Sequence, residues 1–411
     1  MSTKPLRRTR RDLAATAALS LLGVAAVGTV VVTAPIRDAH PQPNTEEYAA
    51  PSSLEAAPTA LTPAWSERIA PLPGVARPVT TAGLVFTHDA HTVRARDASG
   101  AQRWSYGRDD AEICSLGTAW GSVVVTYRTG AGCGDVVALN ARTGEYKHTR
   151  SSDAEDVVAA VASNDRIGTL SPRRVELWRS DLVRTVEYGD VEAKQEPELQ
   201  PHEECTLTSA LTRKKVLAVT ETCPGSEGAW LRLQEATPES SREPTITGEV
   251  ELPHPGARLV AVGETAAAVY VPGKTPRIVS YSAEGTQLAS REVAASPLAE
   301  GDAPAGVFSP RTADLPTYIT WFDGERLYLL HPSDLSVVRV IEDAIGTGAA
   351  EADRLFYPTA AGIAVASPDG ERVERTLEVE RPGEPDTVGL AVVGGTLMER
   401  RDGEIVGYAG A

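Results

Sequence analysis

Hydrophobic residues recur along this chain in short runs that alternate with polar residues, a pattern typical of β-strands rather than helices. The clearest unit has an apolar run at residues 84–86, an alternating run at 92–100 that closes on an Asp and Gly turn, and a short run at 102–104. No segment after Ala34 carries a long helical stripe. The pattern therefore predicts an all-β domain built from groups of short antiparallel strands.

The same string of runs repeats along the chain. A second clear copy occupies residues 123–125, 136–144 and 145–147, and fainter copies follow at a mean spacing close to the length of one four-stranded sheet. Repetition at this period is typical of a β-propeller, in which each four-stranded blade packs against its neighbours. The last strands of the fainter units are expected near Leu182, Ile246, Gln287, Ser336 and Arg372.

The two ends of the repeat region indicate how the ring closes. The final unit has strand patterns at 390–393, 396–399 and 404–408 but no fourth strand, whereas residues 64–69 resemble a fourth strand without a blade. Pairing of these ends would complete the last blade and give eight blades. Seven blades are the alternative.

The N-terminal segment predicts a membrane anchor. Residues 13–34 form an uncharged, mostly apolar run of a length that can cross a bilayer as a helix. The basic residues in front of this run predict a cytoplasmic N-terminus and an exported remainder. A signal peptide cleaved after Ala34 is the alternative, but its apolar core would be unusually long. The basic residues are Lys4, Arg7, Arg8, Arg10 and Arg11.

A Pro-rich stretch without helical or strand periodicity follows the anchor and predicts an extended spacer. The predicted organisation is a cytoplasmic tail (1–12), a transmembrane anchor (13–34), an extracytoplasmic linker (35–63) and a propeller (64–411). The expected location is the cytoplasmic membrane, with a single pass and the propeller outside.

The net charge of −16 excludes a general affinity of the exported part for nucleic acid, because the basic cluster lies in the tail and the rest is more acidic still. The 35 glycines and 29 prolines, against 4 phenylalanines and 2 methionines, also favour β-structure with many turns over a large helical core.

Four cysteines, Cys114, Cys133, Cys205 and Cys223, lie in the segment expected to be exported, which favours disulfides. Facing residues in an antiparallel hairpin have a constant index sum. This arithmetic places Cys205 opposite Cys223 and, with a small irregularity, Cys114 opposite Cys133. We therefore predict these two neighbouring pairs rather than a four-thiolate zinc site, which lacks a close Cys-x-x-Cys spacing.

Residues 95–100 with Trp104, and residues 137–144, resemble the blade motif of pyrroloquinoline-quinone-type propellers. The whole arrangement of tail, anchor, spacer and propeller is similar to uncharacterised membrane-anchored propeller proteins of actinobacteria. In quinoprotein dehydrogenases the resemblance would imply a quinone over calcium and a disulfide of adjacent cysteines. This chain has no adjacent cysteines, and Asn140 fits a turn cap, so no cofactor is predicted.

Other candidates for catalytic chemistry are weak. His88 and His91 could form half of a metal site, but no third ligand is suggested, and surface histidines explain them better. The glycines at 130–134 and 346–348 resemble fragments of phosphate loops without a following helix, so hairpin turns are favoured. No metal site and no catalytic residues are predicted.

One long loop between blades supplies the candidate interface. It carries six acidic residues on the ring face that also holds both predicted disulfides, and long loops on a rigid scaffold are common binding sites. We predict a non-catalytic binding or scaffolding propeller with an envelope protein as partner. The alternatives are an envelope enzyme, either quinoprotein-like or glycan-active, and a sensor of a small ligand in the central channel. The interface residues are Asp190, Glu192, Glu196, Glu198, Glu203 and Glu204.

Overall fold

The protein is an eight-bladed β-propeller preceded by one long helix. The computed structural model describes residues 9–163, 165–191, 198–303, 305–383, 385 and 387–410. Eight antiparallel sheets follow one another along the chain, and each blade has four strands from the centre of the ring to its rim. The fold and the blade number predicted from the repeat are thus confirmed.

Blades 1 to 4 come first in the chain. Blade 1 contains β3 (Val79–Thr81), β4 (Leu84–His88), β5 (Thr92–Arg96) and β6 (Gln102–Arg108). Blade 2 contains β7 (Glu112–Ala119), β8 (Ser122–Thr129), β9 (Gly132–Asn140) and β10 (Tyr146–Ser151). Blade 3 contains β11 (Ala159–Ser163), β12 (Arg166–Leu170), β13 (Arg174–Trp178) and β14 (Arg184–Gly189). Blade 4 contains β15 (Thr206–Arg213), β16 (Val216–Thr222), β17 (Ala229–Glu235) and β18 (Ile246–Leu252).

Blades 5 to 8 complete the ring. Blade 5 contains β19 (Arg258–Val262), β20 (Ala266–Val271), β21 (Arg277–Ser282) and β22 (Gln287–Glu292). Blade 6 contains β23 (Arg311–Asp314), β24 (Ile319–Phe322), β25 (Leu327–Leu330) and β26 (Val337–Ile341). Blade 7 contains β27 (Ala349–Glu351), β28 (Arg354–Thr359), β29 (Gly362–Ala366) and β30 (Val373–Glu378). Blade 8 contains β31 (Gly389–Val393), β32 (Thr396–Arg401) and β33 (Glu404–Gly410), with β2 (Leu61–Arg68) as its outer strand.

The ring is closed by pairing between the two ends of the propeller sequence. Strand β2 pairs antiparallel with β33, and Arg68 faces Glu404 at one end of the ladder. Next to this seam, the Trp65 ring packs against Gly100 of blade 1 and Gly407 of blade 8, where a Cβ atom would lie 2.4 Å from the indole. The predicted closure is therefore confirmed, although β2 begins three residues earlier than the pattern indicated.

Buried aromatic side chains hold neighbouring blades together. At the junction of blades 5 and 6, Trp321 stacks on Tyr328 with ring centroids 5.1 Å apart and lies 5.9 Å from the Tyr270 ring. All three side chains are almost completely buried. Such pairs are worth about 0.5–1.5 kcal/mol beyond the area that they bury.

The N-terminal helix α1 (Arg10–Thr33) contains no buried residue. Thr9 and Asp12 form a capping box at its start, and its apolar length is sufficient to cross a membrane. A 3-10 turn (Pro35–Asp38) follows directly. One membrane span is therefore possible by length and composition.

The predicted linker differs from a free spacer, because much of it lies on the propeller. Strand β1 (Ala39–Gln42) pairs antiparallel with β6 and adds a fifth strand to the rim of blade 1. A strand of four residues that contains Pro41 shows no alternation, so sequence periodicity could not reveal it. Pairing with the outer edge of β6 gives hydrogen-bond partners to main-chain N–H and C=O groups of both strands.

Residues 43–60 continue as an extended strap over one face of the ring. The Asn44 amide donates to the Thr143 carbonyl oxygen at 2.8 Å, and the Tyr48 ring lies under the Arg103 guanidinium of blade 1. At the far end, Arg375 of blade 7 donates to the carbonyl oxygens of Ala57 and Pro58. The strap therefore joins blades 1, 2 and 7.

Candidate functional site

The two faces of the ring differ in their loops. The interblade face carries the connections between blades and those between second and third strands, whereas the hairpin face carries the remaining connections and the strap. Acidic residues exceed basic ones in the described loops of both faces, and the excess is larger on the interblade face. The candidate interface lies on this more acidic face.

Both disulfides brace the interblade face, with the pairing predicted from the sequence. Cys205 joins Cys223 by extending the β15–β16 ladder one residue beyond the facing pair Thr206 and Thr222. Cys114 joins Cys133 in a different way from the expected hairpin, because β8 lies between their strands. A register shift between Ile113 and Ser115 interrupts the ladder at Cys114 and permits this bond across the sheet.

The described parts of the acidic loop 190–205 are fixed to the blades. Asp190 pairs with Arg173, with 2.7 Å between the carboxylate and Nη2. The buried Gln200 side chain accepts from the Gly189 amide and donates to the carbonyl oxygens of Glu187 and Arg242. The main chain on either side of the undescribed residues is therefore held by polar contacts and the Cys205 disulfide.

The acidic side chains of this loop fall into three groups. Glu198, Glu203 and Glu204 are exposed, so they can reach a partner without rearrangement of the core. Asp190 is half-buried and already paired. Glu192 and Glu196 lie outside the described residues, so their predicted contribution stays a prediction.

A buried polar network supports this patch from below. Glu221 is fully buried, accepts a hydrogen bond from the Tyr188 hydroxyl at 2.8 Å and pairs with Arg232 Nε at 2.8 Å. Arg232 also donates to the Glu249 carboxylate, which lies 3.1 Å from Nε2 of the His202 ring. Burial raises the pKa of Glu221 despite these partners. Burying these charged groups costs desolvation free energy, which their mutual hydrogen bonds and ion pairs offset. Loss of any one partner therefore destabilises the others.

The histidines considered from the sequence take separate partners. The imidazole Nδ1 of His88 lies 3.3 Å from the Asp89 carbonyl oxygen, whereas that of His91 lies 2.9 Å from the carbonyl oxygen of Ala111. Two groups of possible metal ligands occur among the described residues, and both include Cys205, whose sulfur is bonded to Cys223. In both groups found among the described residues, the Cys205 sulfur is therefore held in a disulfide and is not a free thiolate ligand.

The central channel forms a second candidate site. Its cavity has a volume of about 350 Å³ and is lined by the inner strands of blades 1 to 6. Small side chains dominate the wall, among them Ala160, Ala162 and Ala210. A cavity of this volume falls within the range of small-molecule sites.

Two interblade segments cross the interblade end of this channel. The segment before β3 reaches blade 3, where the Ala160 amide donates to the Pro73 carbonyl oxygen at 3.1 Å. The segment before β23 reaches blade 4, where the Phe308 amide donates to the Thr208 carbonyl oxygen at 2.7 Å. Together they cap the channel on the interblade side.

Charged groups of the channel wall are few. Arg77 lies in the first cap segment and donates from Nε and Nη2 to the Leu390 carbonyl oxygen, with Gly348 O 3.4 Å from Nη2. Arg213 and Asp314 form an ion pair of 2.6 Å at the ends of their strands. Burial lowers the pKa of Arg77 to about 10, and the negative charge of Asp314 opposes that shift.

Comparison with known proteins gives no functional assignment. No protein-family model matches the chain, and no curated protein matches it. Among solved structures, the Dos1 propeller is 8% identical, with a TM-score of 0.48 over 85% of this chain and 95% of that one. Sqt1 of Saccharomyces cerevisiae is 12% identical, with a TM-score of 0.49 over 88% of this chain and 100% of that one. The dihydro-heme d1 dehydrogenase NirN is 11% identical, with a TM-score of 0.46 over 78% of this chain and 67% of that one.

Sequence reasoning found the acidic loop and the cysteines but missed the charged channel residues. Arg77 occurs in an irregular segment, and Arg213 and Asp314 are about a hundred positions apart. Arg213 and Asp314 occupy the same position, the last residue of the inner strand, in their two blades. Their proximity follows only from the ring geometry.

Proposed function

We propose that this chain is a membrane-anchored, extracytoplasmic binding propeller that docks a partner protein on its interblade face. The observation that carries the proposal is the set of exposed carboxylates Glu198, Glu203 and Glu204 on a loop fixed by Gln200 and the Cys205 disulfide. The described part of this loop, residues 198–205, is held in place and therefore loses little conformational entropy on binding. The role is non-catalytic, as the sequence predicts.

The location follows from the same proposal. Helix α1 provides one span, and the two disulfides fit an oxidising compartment. The basic residues before α1 favour a cytoplasmic N-terminus, with the propeller outside the cytoplasmic membrane. The partner is then an envelope protein with a basic contact surface, because rim carboxylates select the opposite charge.

The test is cross-linking of the full-length protein in cells of the source organism, with mass spectrometry of what co-purifies. The charge-reversal variant Glu198→Lys, Glu203→Lys, Glu204→Lys is compared with the matched variant Glu239→Lys, Glu264→Lys, Glu371→Lys. The second set is equally exposed but lies on the hairpin face. A chain of residues 1–63 alone measures the background.

The proposal expects one or two envelope proteins to be enriched with the wild type and the hairpin-face variant, and lost with the interblade-face variant. Equal enrichment with both variants would place the contact elsewhere on the ring. No enrichment above the background chain would contradict a binding role.

A second candidate function is a sensor of a small ligand in the central channel. The observation that favours it is a cavity of about 350 Å³ with a wall of mostly small side chains and few charged groups. A quinoprotein-like or glycan-active site would instead need several convergent acidic and basic groups. Dye displacement or calorimetry with small ligands on the full chain would test this function.

A further inference from the structure

We infer that the central channel binds a small organic anion, a carboxylate with a short apolar body, with Arg77 as the anion-binding residue. This inference rests on the second candidate function, the channel as a ligand site. It adds the chemical class of the ligand and the residue that selects it.

Arg77 lies at the wall of the channel cavity. The residue keeps part of its surface accessible although protein surrounds it on all sides, and it lines the channel cavity. The accessible part therefore faces the cavity. Desolvation is the largest influence on its pKa, which lies well below the ordinary value. An anion in the cavity would restore the favourable interaction that the guanidinium loses on leaving water.

In the part of the chain that the structure describes, one nitrogen of the Arg77 guanidinium has no partner. Arg77 donates to the carbonyl oxygens of Leu390 and Gly348 from Nε and Nη2. Among the described residues, Nη1 has no hydrogen-bond partner and no carboxylate lies within ion-pair distance of this side chain. Nη1 can therefore donate a charge-assisted hydrogen bond to one oxygen of a carboxylate in the cavity.

The channel wall carries one more positive charge than negative charge. Arg213 and Asp314 neutralise each other at 2.6 Å, so Arg77 leaves the cavity lining with a net positive charge. A positive cavity inside a protein of net charge −16 favours an anion over a neutral or cationic ligand.

Part of the channel wall is apolar and lies beside hydroxyl-bearing residues such as Thr118 and Thr212. The wall contains Ala160, Ala162, Ala210, Leu211 and Val262, which offer no strong donors or acceptors to a ligand. Burying methylene groups against them is favourable by area alone. A short aliphatic carboxylate satisfies both the wall and Arg77.

The experiment titrates sodium hexanoate, hexanamide and hexylammonium chloride into the full chain in detergent micelles, followed by calorimetry. Micelles holding residues 1–63 supply the correction for probe that partitions into detergent. We expect hexanoate to bind at least tenfold more tightly than either of the other probes. Equal binding of hexanamide would overturn the anion assignment but leave the channel as a ligand site. The highest probe concentration is 10 mM, which detects even weak millimolar affinity. If no probe binds up to that concentration, both the anion assignment and the channel as a ligand site are overturned.

Variants separate recognition from folding. Arg77→Gln should weaken the binding of hexanoate at least tenfold and leave the affinity for hexanamide unchanged. Arg77→Lys should retain part of the preference for hexanoate over hexanamide. Arg258→Gln is the matched control, because Arg258 is also a desolvated arginine that donates to carbonyl oxygens, but it does not line the cavity. Wild-type affinity in Arg77→Gln would overturn the assignment.

A fourth variant covers the case in which Arg77→Gln fails to fold. Ala162 is exposed towards the channel, so Ala162→Phe fills part of the cavity and leaves Arg77 in place. Hexanoate binding should fall at least tenfold in this variant, with an unchanged thermal transition. Binding that persists would place the probe outside the channel and overturn the inference.

Discussion

Arg213 of blade 4 and Asp314 of blade 6 form an ion pair of 2.6 Å, although blade 5 lies between them in the ring. The pair joins the ends of two inner strands at the hairpin end of the channel. It links nonadjacent blades through side chains alone, and it balances one of the two arginines that line the cavity.

Asp314→Asn should change the free energy of unfolding by less than about 1 kcal/mol, because both side chains are partly exposed and screened. The same variant leaves Arg213 without its counter-charge, so hexanoate should bind more tightly than to the wild type. Chemical denaturation and calorimetry measure the two effects. Weaker hexanoate binding in this variant would contradict the positive-cavity argument.

Glu221→Gln should destabilise the protein by about 1–3 kcal/mol, because the buried Arg232 then keeps only the half-exposed Glu249 as a charged partner. Glu249→Gln is the comparison, since that carboxylate is 46% exposed and its loss should cost less than about 1 kcal/mol. Urea denaturation of the two variants side by side measures the difference. Similar costs would show that burial of Glu221 is not the decisive factor.

His88 should make stability depend on pH in the weakly acidic range. Burial, followed by the positive charge of Arg400, lowers the pKa of His88 to about 4, while Asp89 and Glu67 oppose the shift. The folded state thus favours neutral His88, and its contribution is complete above pH 6.5. It is lost as the pH falls from 6.5 towards 4, by about 3 kcal/mol in total.

His88→Gln should therefore flatten the stability profile between pH 6.5 and 4, measured by denaturation at several pH values. The exposed His148 supplies the control, and His148→Gln should leave the profile unchanged. A wild-type slope in His88→Gln would assign the acid sensitivity to other groups.

Tyr48→Ala should release the strap without unfolding the ring. Tyr48 contacts Arg103 and packs against the core of blades 1 and 2. A glutamate-specific protease should then cleave at Glu46 and Glu47 several-fold faster than in the wild type. The control is Thr45→Ala at an exposed position of the strap, and this variant should be cleaved at the wild-type rate. Equal rates in both variants would mean that Tyr48 does not hold the strap.

The repeat pattern predicted the ring because the strands of each blade, β2 apart, are consecutive in sequence, and they include fully buried strands such as β4 and β20 and alternating strands such as β5. Fourth strands expected near Leu182, Gln287 and Ser336 begin at Arg184, Gln287 and Val337. The closure by β2 was predictable because an unpaired strand and an incomplete blade stood at opposite ends of the sequence. Residues that form strands by alternation are therefore visible in sequence.

The missed features depend on contacts between distant positions. Strand β1 is recognised only by its partner β6, and the strap only by carbonyl contacts such as that of Pro58 with Arg375. Arg77 belongs to an irregular segment, and its position in the channel depends on how the cap folds over the ring. Local periodicity carries no information about such contacts.

The short connection between α1 and β1 restricts where the propeller can go. Only residues 34–38 separate them, a stretch of at most about 18 Å when fully extended. With α1 in a bilayer, the blade 1 rim stays close to the lipid headgroups, and the body diffuses in two dimensions with its anchor. A partner in the same membrane then meets it at a high effective concentration, so even a weak contact suffices for association.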